Sequence, residues 1–214
     1  YGVDTLSRRF YEIFFKNLKT GEIIKETIPN TTGYVAWAND NKTIFYTSKN
    51  QVTLLSEKIF RHSLGSDFKK DVLVYHEKDD SFYIGVQRSK SGEYIIIYNS
   101  STLVSDYHIL KADNPLGKFK NFSPRGVEHE YDISHYKDKF YILTNLNAKN
   151  KRLMETDENK TEISNWKEVI SHDKNIHLLS MSIFQNHIVI NERKDGLRGI
   201  RIINQNSGKS HRIG

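Results

Sequence analysis

The sequence predicts an all-β protein of the propeller class, and three observations carry that reading. The first is a repeat. Four copies of one pattern, a β-prone run, a short polar turn and a second β-prone run, read YVAWANDNKTIFYTS (34–48), FYIGVQRSKSGEYIIIYN (82–99), YDISHYKDKFYILTN (131–145) and LLSMSIFQNHIVINE (178–192). Their first residues, Tyr34, Phe82, Tyr131 and Leu178, step by 48, 49 and 47. The second observation is that two further β-prone segments follow each copy, so each repeat holds four strands, the content of a propeller blade. The third is the lack of helical periodicity, because no longer segment repeats its apolar positions every ~3.6 residues. A β-sandwich also yields short, regular strands, but the near-constant step of four strands favours the propeller.

The amino end, RRFYEIFFKN (8–17), KTGE (19–22) and IIKETI (23–28), reads as strand, hairpin turn and strand, with Gly21 supplying positive φ. Two strands without two before them make the outer half of a blade, 8–28. The blade at about 34–75 takes strands 34–38, 43–48, 58–64 and 72–75. The blade at 82–122 takes 82–88, 93–98, 106–111 and 119–122. The blade at 130–170 takes 130–136, 139–144, 152–156 and 167–170, and the blade at 178–213 takes 178–184, 187–191, 197–203 and 210–213. The inner turns ANDN, SKSG, YKDK and FQNH carry residues that accept left-handed backbone or cap their own turn. The polar linkers 49–57, 112–118 and 157–165 fit loops between outer strands. The expected organisation is one domain over 1–214, a partial propeller of about four and a half four-stranded blades.

Composition narrows the function. Of 214 residues, 37% are hydrophobic and 27% charged, a soluble balance, and the 12 tyrosines and 11 phenylalanines suit sheets. There is no cysteine, which removes any disulfide framework or thiolate metal site and fits a reducing, cytoplasmic setting. No apolar run approaches the ~20 residues that span a bilayer, so no membrane partner is expected. The chain opens on Tyr1 without a signal-peptide pattern, and its natural amino end is expected to lie further upstream. Net charge is +6, but Lys19, Lys25, Lys42, Lys90, Lys118 and Lys137 are scattered through turns and outer strands. No block of like charge forms, and nucleic acid is not an expected partner.

Motifs that carry chemistry are missing. No Gly-x-Ser-x-Gly elbow occurs, and Gly65-Ser66-Asp67 and Ser91-Gly92 are turn sequences. Phosphate-cradling glycine loops are absent, and Asp79-Asp80 and Asp113-Asn114 are turn acids without calcium-loop spacing. The densest titratable run is Glu128-His129-Glu130-Tyr131-Asp132-Ile133-Ser134-His135. A zinc peptidase needs two histidines one helical turn apart. Here His129 and His135 fall on one side of a strand about 20 Å apart at roughly 3.3 Å per residue, too far to share a metal. They are expected as polar positions near the propeller axis or on its rim. Arg61-His62 could meet an anionic group but is read as an outer-strand surface pair, and Trp37 as core or tunnel lining. A propeller enzyme with its own tunnel site would have Gln87, Arg88, His129, Asp132 and His135 to draw on, in no arrangement of known chemistry. No catalytic, cofactor-binding or metal-ligating residue is therefore expected, and no cofactor.

The wording of the sequence adds a resemblance. DTLSRRFYEIFFKNLKTGE (4–22), WANDNKTIFYT (37–47), FRHSLG (60–65), DVLVYHEKDDSFYIGVQRSKSGEYIII (71–97), ADNPLGKFKNF (112–122), HEYDISHYKDKFYILTN (129–145) and GLRGIRIIN (196–204) closely resemble the propeller of the oligopeptidase B (protease II) enzymes, in the prolyl oligopeptidase family of serine peptidases. The likeness runs in order along almost the whole chain. It departs at Ser56-Glu57-Lys58, where the family tends to show a Pro-Tyr phrase. The resemblance implies a seven-bladed ring capping an α/β-hydrolase domain that holds the Ser, Asp and His triad. It also implies cleavage of short peptides after Arg or Lys, with the propeller excluding folded proteins. On this reading the hydrolase domain is absent from the chain and acts in cis in the complete protein. The chain then supplies the gate, and no catalytic residue is carried over. A partial ring leaves open sheet faces and is expected to be marginally stable, to self-associate or to close into a smaller ring. The rival class is a stand-alone propeller acting as a peptide- or protein-binding scaffold.

Overall fold

A computed structural model describes residues 1–126 and 128–213; Val127 and Gly214, both within the expected domain 1–214, lie outside the described residues. Among the described residues the regular structure is eighteen strands and two single-turn 3-10 segments. No helix there is long and apolar enough to cross a membrane. Every strand pair is antiparallel. The chain divides into two compact units, Tyr1–Ser101 with Tyr107–Asn121, and Thr102–Asp106 with the chain from Phe122 onward.

The first unit opens on a six-stranded sheet in simple sequence order: β1 (Gly2–Val3), β2 (Tyr11–Lys16), β3 (Ile23–Trp37), β4 (Thr43–Lys49), β5 (Ser56–Ser63) and β6 (Val72–His76). A four-stranded sheet follows, β7 (Tyr83–Arg88), β8 (Tyr94–Ser100), β9 (Ser105–Lys111) and β10 (Lys120–Asn121), also a meander. Ala36, Phe45 and Ile59 of the first sheet bury against Ile84, Val86, Ile95 and Ile97 of the second. Asn39 in the β3–β4 turn ties the sheets together, donating to Asp113 Oδ1 at 2.6 Å and accepting from Arg88.

The expected strands 23–28 and 34–38 are one strand, the fifteen-residue β3. Pro29, Asn30 and Gly33 read as a break in sequence, but they form a bend instead. The register slips between Tyr11/Ile13 on β2 and between Thr31/Val35 on β3, which are the bulges a proline inside a strand requires. Asn30 and Gly33 hold φ of 58° and 82°. Thr31 Oγ1 donates to the Tyr11 carbonyl and accepts from Gly33 N–H, both at 3.0 Å. Upstream of the bend β3 pairs with β2, and downstream with β4.

The bend turns β2 back over the rest of its own sheet. Phe15 on β2 lies 5.9 Å from His62 on β5, ring centroid to ring centroid. Three strand spacings of about 4.8 Å would hold them roughly 14 Å apart in a flat sheet. Ile13, Phe15 and Ile28 thereby bury against Ile44 and Tyr46, and β4 is covered on both faces.

The second unit holds two four-stranded meanders. One is β11 (Tyr131–Tyr136), β12 (Lys139–Thr144), β13 (Arg152–Asp157) and β14 (Lys167–Ile170); the other is β15 (Ile176–Ile183), β16 (His187–Lys194), β17 (Leu197–Asn204) and β18 (Ser210–Ile213). Tyr141, Leu143 and Leu153 of the one bury against Leu178, Ile183, Ile188 and Ile190 of the other. The opposite face of β12 carries Phe140, edge-on to Phe122 at 5.0 Å. The β16–β17 hairpin closes on Asp195-Gly196, both at positive φ, as a two-residue turn of right-handed strands demands.

Gly33→Ala tests the bend. A Cβ there would meet Tyr11 at 2.8 Å on a backbone at φ +82°, whereas one at Gly21, φ +76°, would meet nothing within 4 Å. Thermal unfolding is expected to show Gly21→Ala costing about 1 kcal/mol from backbone strain alone, and Gly33→Ala costing about 2–3 kcal/mol. Equal losses would show that the packing against Tyr11 contributes nothing.

Candidate functional site

The bend delivers Glu26 of β3 onto the face of the sheet that carries His62. His62 shares that face with Ile44, its partner in register, and its side chain is wholly buried. Its Nδ1 meets Asp71 Oδ1 at 2.7 Å and its Nε2 meets Glu26 Oε1 in a short contact. The remaining carboxylate oxygens are taken as well. Glu26 Oε2 accepts from Gly65 N–H at 2.6 Å, and Asp71 Oδ2 from the Tyr46 hydroxyl at 2.9 Å. Phe15 stacks on the imidazole and meets Trp37 edge-on.

Burial by itself would push the imidazole pKa down, but the hydrogen bonds and charges of Asp71 and Glu26 outweigh it and raise it. Burial and the Asp71 charge also raise the Tyr46 phenol. Both imidazole nitrogens face carboxylates, so the ring holds its proton and has no free lone pair with which to act as a general base. The cluster contains no Ser, Thr or Cys side chain. It is a latch between β3, β5 and the segment before β6, and not a catalytic triad. Beside it opens an apolar cavity of about 500 Å3, lined by residues that include Phe14, Phe15, Trp37 and Leu64.

These positions revise the expectation for Arg61-His62. Only Arg61 sits toward the surface, donating to the Pro115 carbonyl at 3.2 Å, while His62 is core. Trp37 is partly buried against the core as expected.

In the second unit, His129 and His135, expected as polar positions near the propeller axis or on its rim, are both buried. His129 stacks on Tyr131 at 5.0 Å and meets Trp166 edge-on at 6.0 Å. His135 pairs with Glu158 at 3.1 Å and lies edge-on to Phe140. One aromatic cluster joins them, because Phe122 packs on Tyr131 at 6.2 Å and on Phe140 at 5.0 Å. Asp132 and Gln87 are exposed, and Arg88 is spent on Asn39 and the Gly92 carbonyl. Of the tunnel set, Arg88, His129 and His135 thus take structural partners, and Gln87 and Asp132 are exposed.

The sequence reading missed a third cluster. Glu192 on β16 is 97% buried and holds two guanidiniums, Arg201 Nη2 at 2.7 Å and Arg212 Nε at 2.6 Å. The register puts Arg201 opposite both Ile190 and Arg212, so these cations share the buried face with Glu192. A cavity of about 510 Å3 adjoins it, lined by the turn 170–176, Leu178 and Arg201.

Comparison with known proteins places this architecture. The family described as prolyl oligopeptidase, N-terminal beta-propeller domain, matches residues 1–213. The chain belongs to the prolyl oligopeptidase family. It is 36% identical over 204 residues to dipeptidyl aminopeptidase BI of Pseudoxanthomonas mexicana and 32% identical over 195 residues to protease 2 of Moraxella lacunata. These matches cover 95% and 90% of this chain but 28% of each relative. Among solved structures, oligopeptidase B from Leishmania major matches 99% of this chain and 31% of its own at a TM-score of 0.90 and 23% identity. Oligopeptidase B from Trypanosoma brucei, solved with covalently bound antipain in a closed form, matches 96% of this chain and 29% of its own at a TM-score of 0.84 and 25% identity. The fold is the propeller-domain fold of those enzymes, and residues 1–213 match the N-terminal propeller domain of the family.

The latch carries a pH dependence. The folded-state pKa of His62 is raised, so its contribution is full below the unfolded value near ~6.5 and is lost as pH rises through the folded one. Thermal midpoints are expected to fall across that range in the natural protein and to stay level for His62→Gln. At pH 6 the substitution is expected to cost about 3 kcal/mol, because it leaves two buried carboxylates without their cation. A parallel slope in the variant would assign the pH dependence elsewhere.

Proposed function

We propose that this chain is the non-catalytic, substrate-gating propeller of a serine oligopeptidase whose complete form cleaves short peptides after Arg or Lys. The observation that carries the reading is the family match over residues 1–213 combined with a span of only 28% of the length of the relatives. The proposed division of labour gives the nucleophile to an α/β-hydrolase domain in cis. The chemistry of the buried clusters supports it. In Glu26–His62–Asp71 both imidazole nitrogens face carboxylates, and the one hydroxyl at the cluster, that of Tyr46, donates to Asp71 and is held protonated by burial and the Asp71 charge, so the cluster holds the fold. Gating is a task for a rigid body, and stacked antiparallel sheets with paired buried charges supply rigidity. The proposed compartment is the cytoplasm, in keeping with a chain that has no cysteine.

The test is hydrolysis of fluorogenic Lys and Arg peptides by the purified chain, with a serine-directed covalent probe. The expected result is no turnover and no label for the chain alone. When the chain is joined to the remaining sequence of a protease 2 relative, cleavage after Lys and Arg is expected in short peptides but not in folded proteins. Stoichiometric labelling of the isolated chain with turnover would overturn the reading.

A further inference from the structure

We propose that the Arg9–Phe10 peptide bond is a latent processing site for a serine peptidase that cuts after arginine, held shut by Asp4 and Lys49. The inference goes beyond the gating reading above and does not depend on it. Its starting point is the loop between β1 and β2. Arg8 and Arg9 are exposed there, and among the described residues neither guanidinium makes an ion pair or a hydrogen bond. A peptidase of this kind takes the arginine before the cut bond into an acidic specificity pocket, and a free, solvated guanidinium is what that pocket requires.

The backbone behind those side chains is locked. Asp4 Oδ1 accepts from the Leu6 and Arg8 N–H groups at 3.2 and 3.3 Å, and its Oδ2 accepts from the Arg9 N–H at 2.7 Å. Ser7 and Arg9 hold φ of 54° and 60°. The Arg9 carbonyl accepts from Lys49 Nζ at 3.2 Å, and the same ammonium stands 5.6 Å from the centre of the Phe10 ring. A serine peptidase attacks a carbonyl presented on extended backbone, with the neighbouring N–H free to pair with the enzyme. At Arg9 the backbone is left-handed, Asp4 occupies the N–H and Lys49 occupies the carbonyl. The recognition group is therefore on offer while the bond is not. The lock is also small. One carboxylate holds it, and no residue from 5 to 9 is buried. Such a loop opens locally while the sheet stays folded, and cleavage then follows the population of the open form.

Hydrolysis breaks the bond between the Arg9 carbonyl carbon and the Phe10 nitrogen. Water supplies a hydroxyl to the carbon and a proton to the nitrogen, leaving a carboxylate and an ammonium. The consequence falls on β1, which pairs with β2 through Gly2 and Val3. Tyr1 stacks on Phe14 at 5.5 Å and lines the apolar cavity beside Phe15. After a cut, these contacts alone hold β1, and a two-residue strand has too little pairing to stay. Its loss bares the edge of β2 and removes one wall of the cavity.

Trypsin, the probe, is added to the folded chain, to Asp4→Ala and to Lys49→Gln, and each cleavage is timed by mass spectrometry. Asp4→Ala is expected to be cut after Arg9 about tenfold faster than the natural chain, with cutting after the exposed Lys209 unchanged. Lys49→Gln leaves the Asp4 bonds in place and is expected to be cut after Arg9 about threefold faster, which keeps the test decisive if Asp4→Ala does not fold. Once cut, residues 1–9 are expected to separate from the rest on size filtration. Unchanged cleavage after Arg9 in the variants, an equal rise after Lys209, or a rise after Arg8 alone would each overturn the proposal. Failure here would leave the hydrolysis test of the preceding reading untouched.

Discussion

A sheet whose central strand has no solvent face must be covered twice, and much of this chain follows from that requirement. β4 is buried at Thr43, Ile44, Phe45, Tyr46 and Thr47 in succession, so neither side of its sheet can face water. The β7–β10 sheet covers one side through Phe45 and Ile59. The other side has no separate sheet in its unit, so the sheet covers itself: β3 bends, and β2 returns over Ile44 and Tyr46. β12 poses the same problem, with Tyr141 and Leu143 facing the β15–β18 sheet and Phe140 set among aromatic rings on the reverse.

Covering a sheet twice traps polar groups that would otherwise be rim residues. His62 is buried because β2 lies above it, and an imidazole placed there needs partners at both nitrogens or loses stability. Glu26 arrives on the same segment that causes the burial, so cover and compensation come together. Buried ion pairs stabilise little against an apolar alternative. Their value at this position is specificity. A slip of β3 by one residue would turn Glu26 to the opposite face and leave His62 between an apolar wall and a single carboxylate.

The repeat was legible because a blade leaves a sequence trace of regular length, and Tyr34, Phe82, Tyr131 and Leu178 mark its period. The inner hairpin turns were legible from the Asn, Asp, Gly and Ser residues of ANDN, SKSG, YKDK and FQNH. The bend of β3 was not, because Pro29-Asn30-Thr31-Thr32-Gly33 spells the same residues for a break as for a bulged strand, and the hydrogen bond from Thr31 to Tyr11 twenty residues away decides between them. His62 was misread for a related reason. Period-two alternation groups it with Phe60, which hinted at an apolar face, but the strand's outer position in the repeat argued for exposure. Its partner Glu26 lies 36 residues upstream and shows no local pattern. Glu192, Arg201 and Arg212 were legible as charges in β-prone runs but not as one cluster, since only the strand register aligns them.

The two charged clusters differ in how completely they are closed. Around His62 there are two carboxylates and one imidazole, a surplus of acceptors. All four oxygens are occupied, two by the ring nitrogens, one by the Gly65 N–H and one by the Tyr46 hydroxyl. Around Glu192 two guanidiniums meet one carboxylate, yet Glu192 Oε2 and Arg201 Nε make no hydrogen bond among the described residues. A buried donor and a buried acceptor left unsatisfied cost stability. The cluster that the bend of β3 assembles is therefore the better satisfied of the two, because backbone N–H and phenol join the side chains there, whereas around Glu192 the charges have only one another.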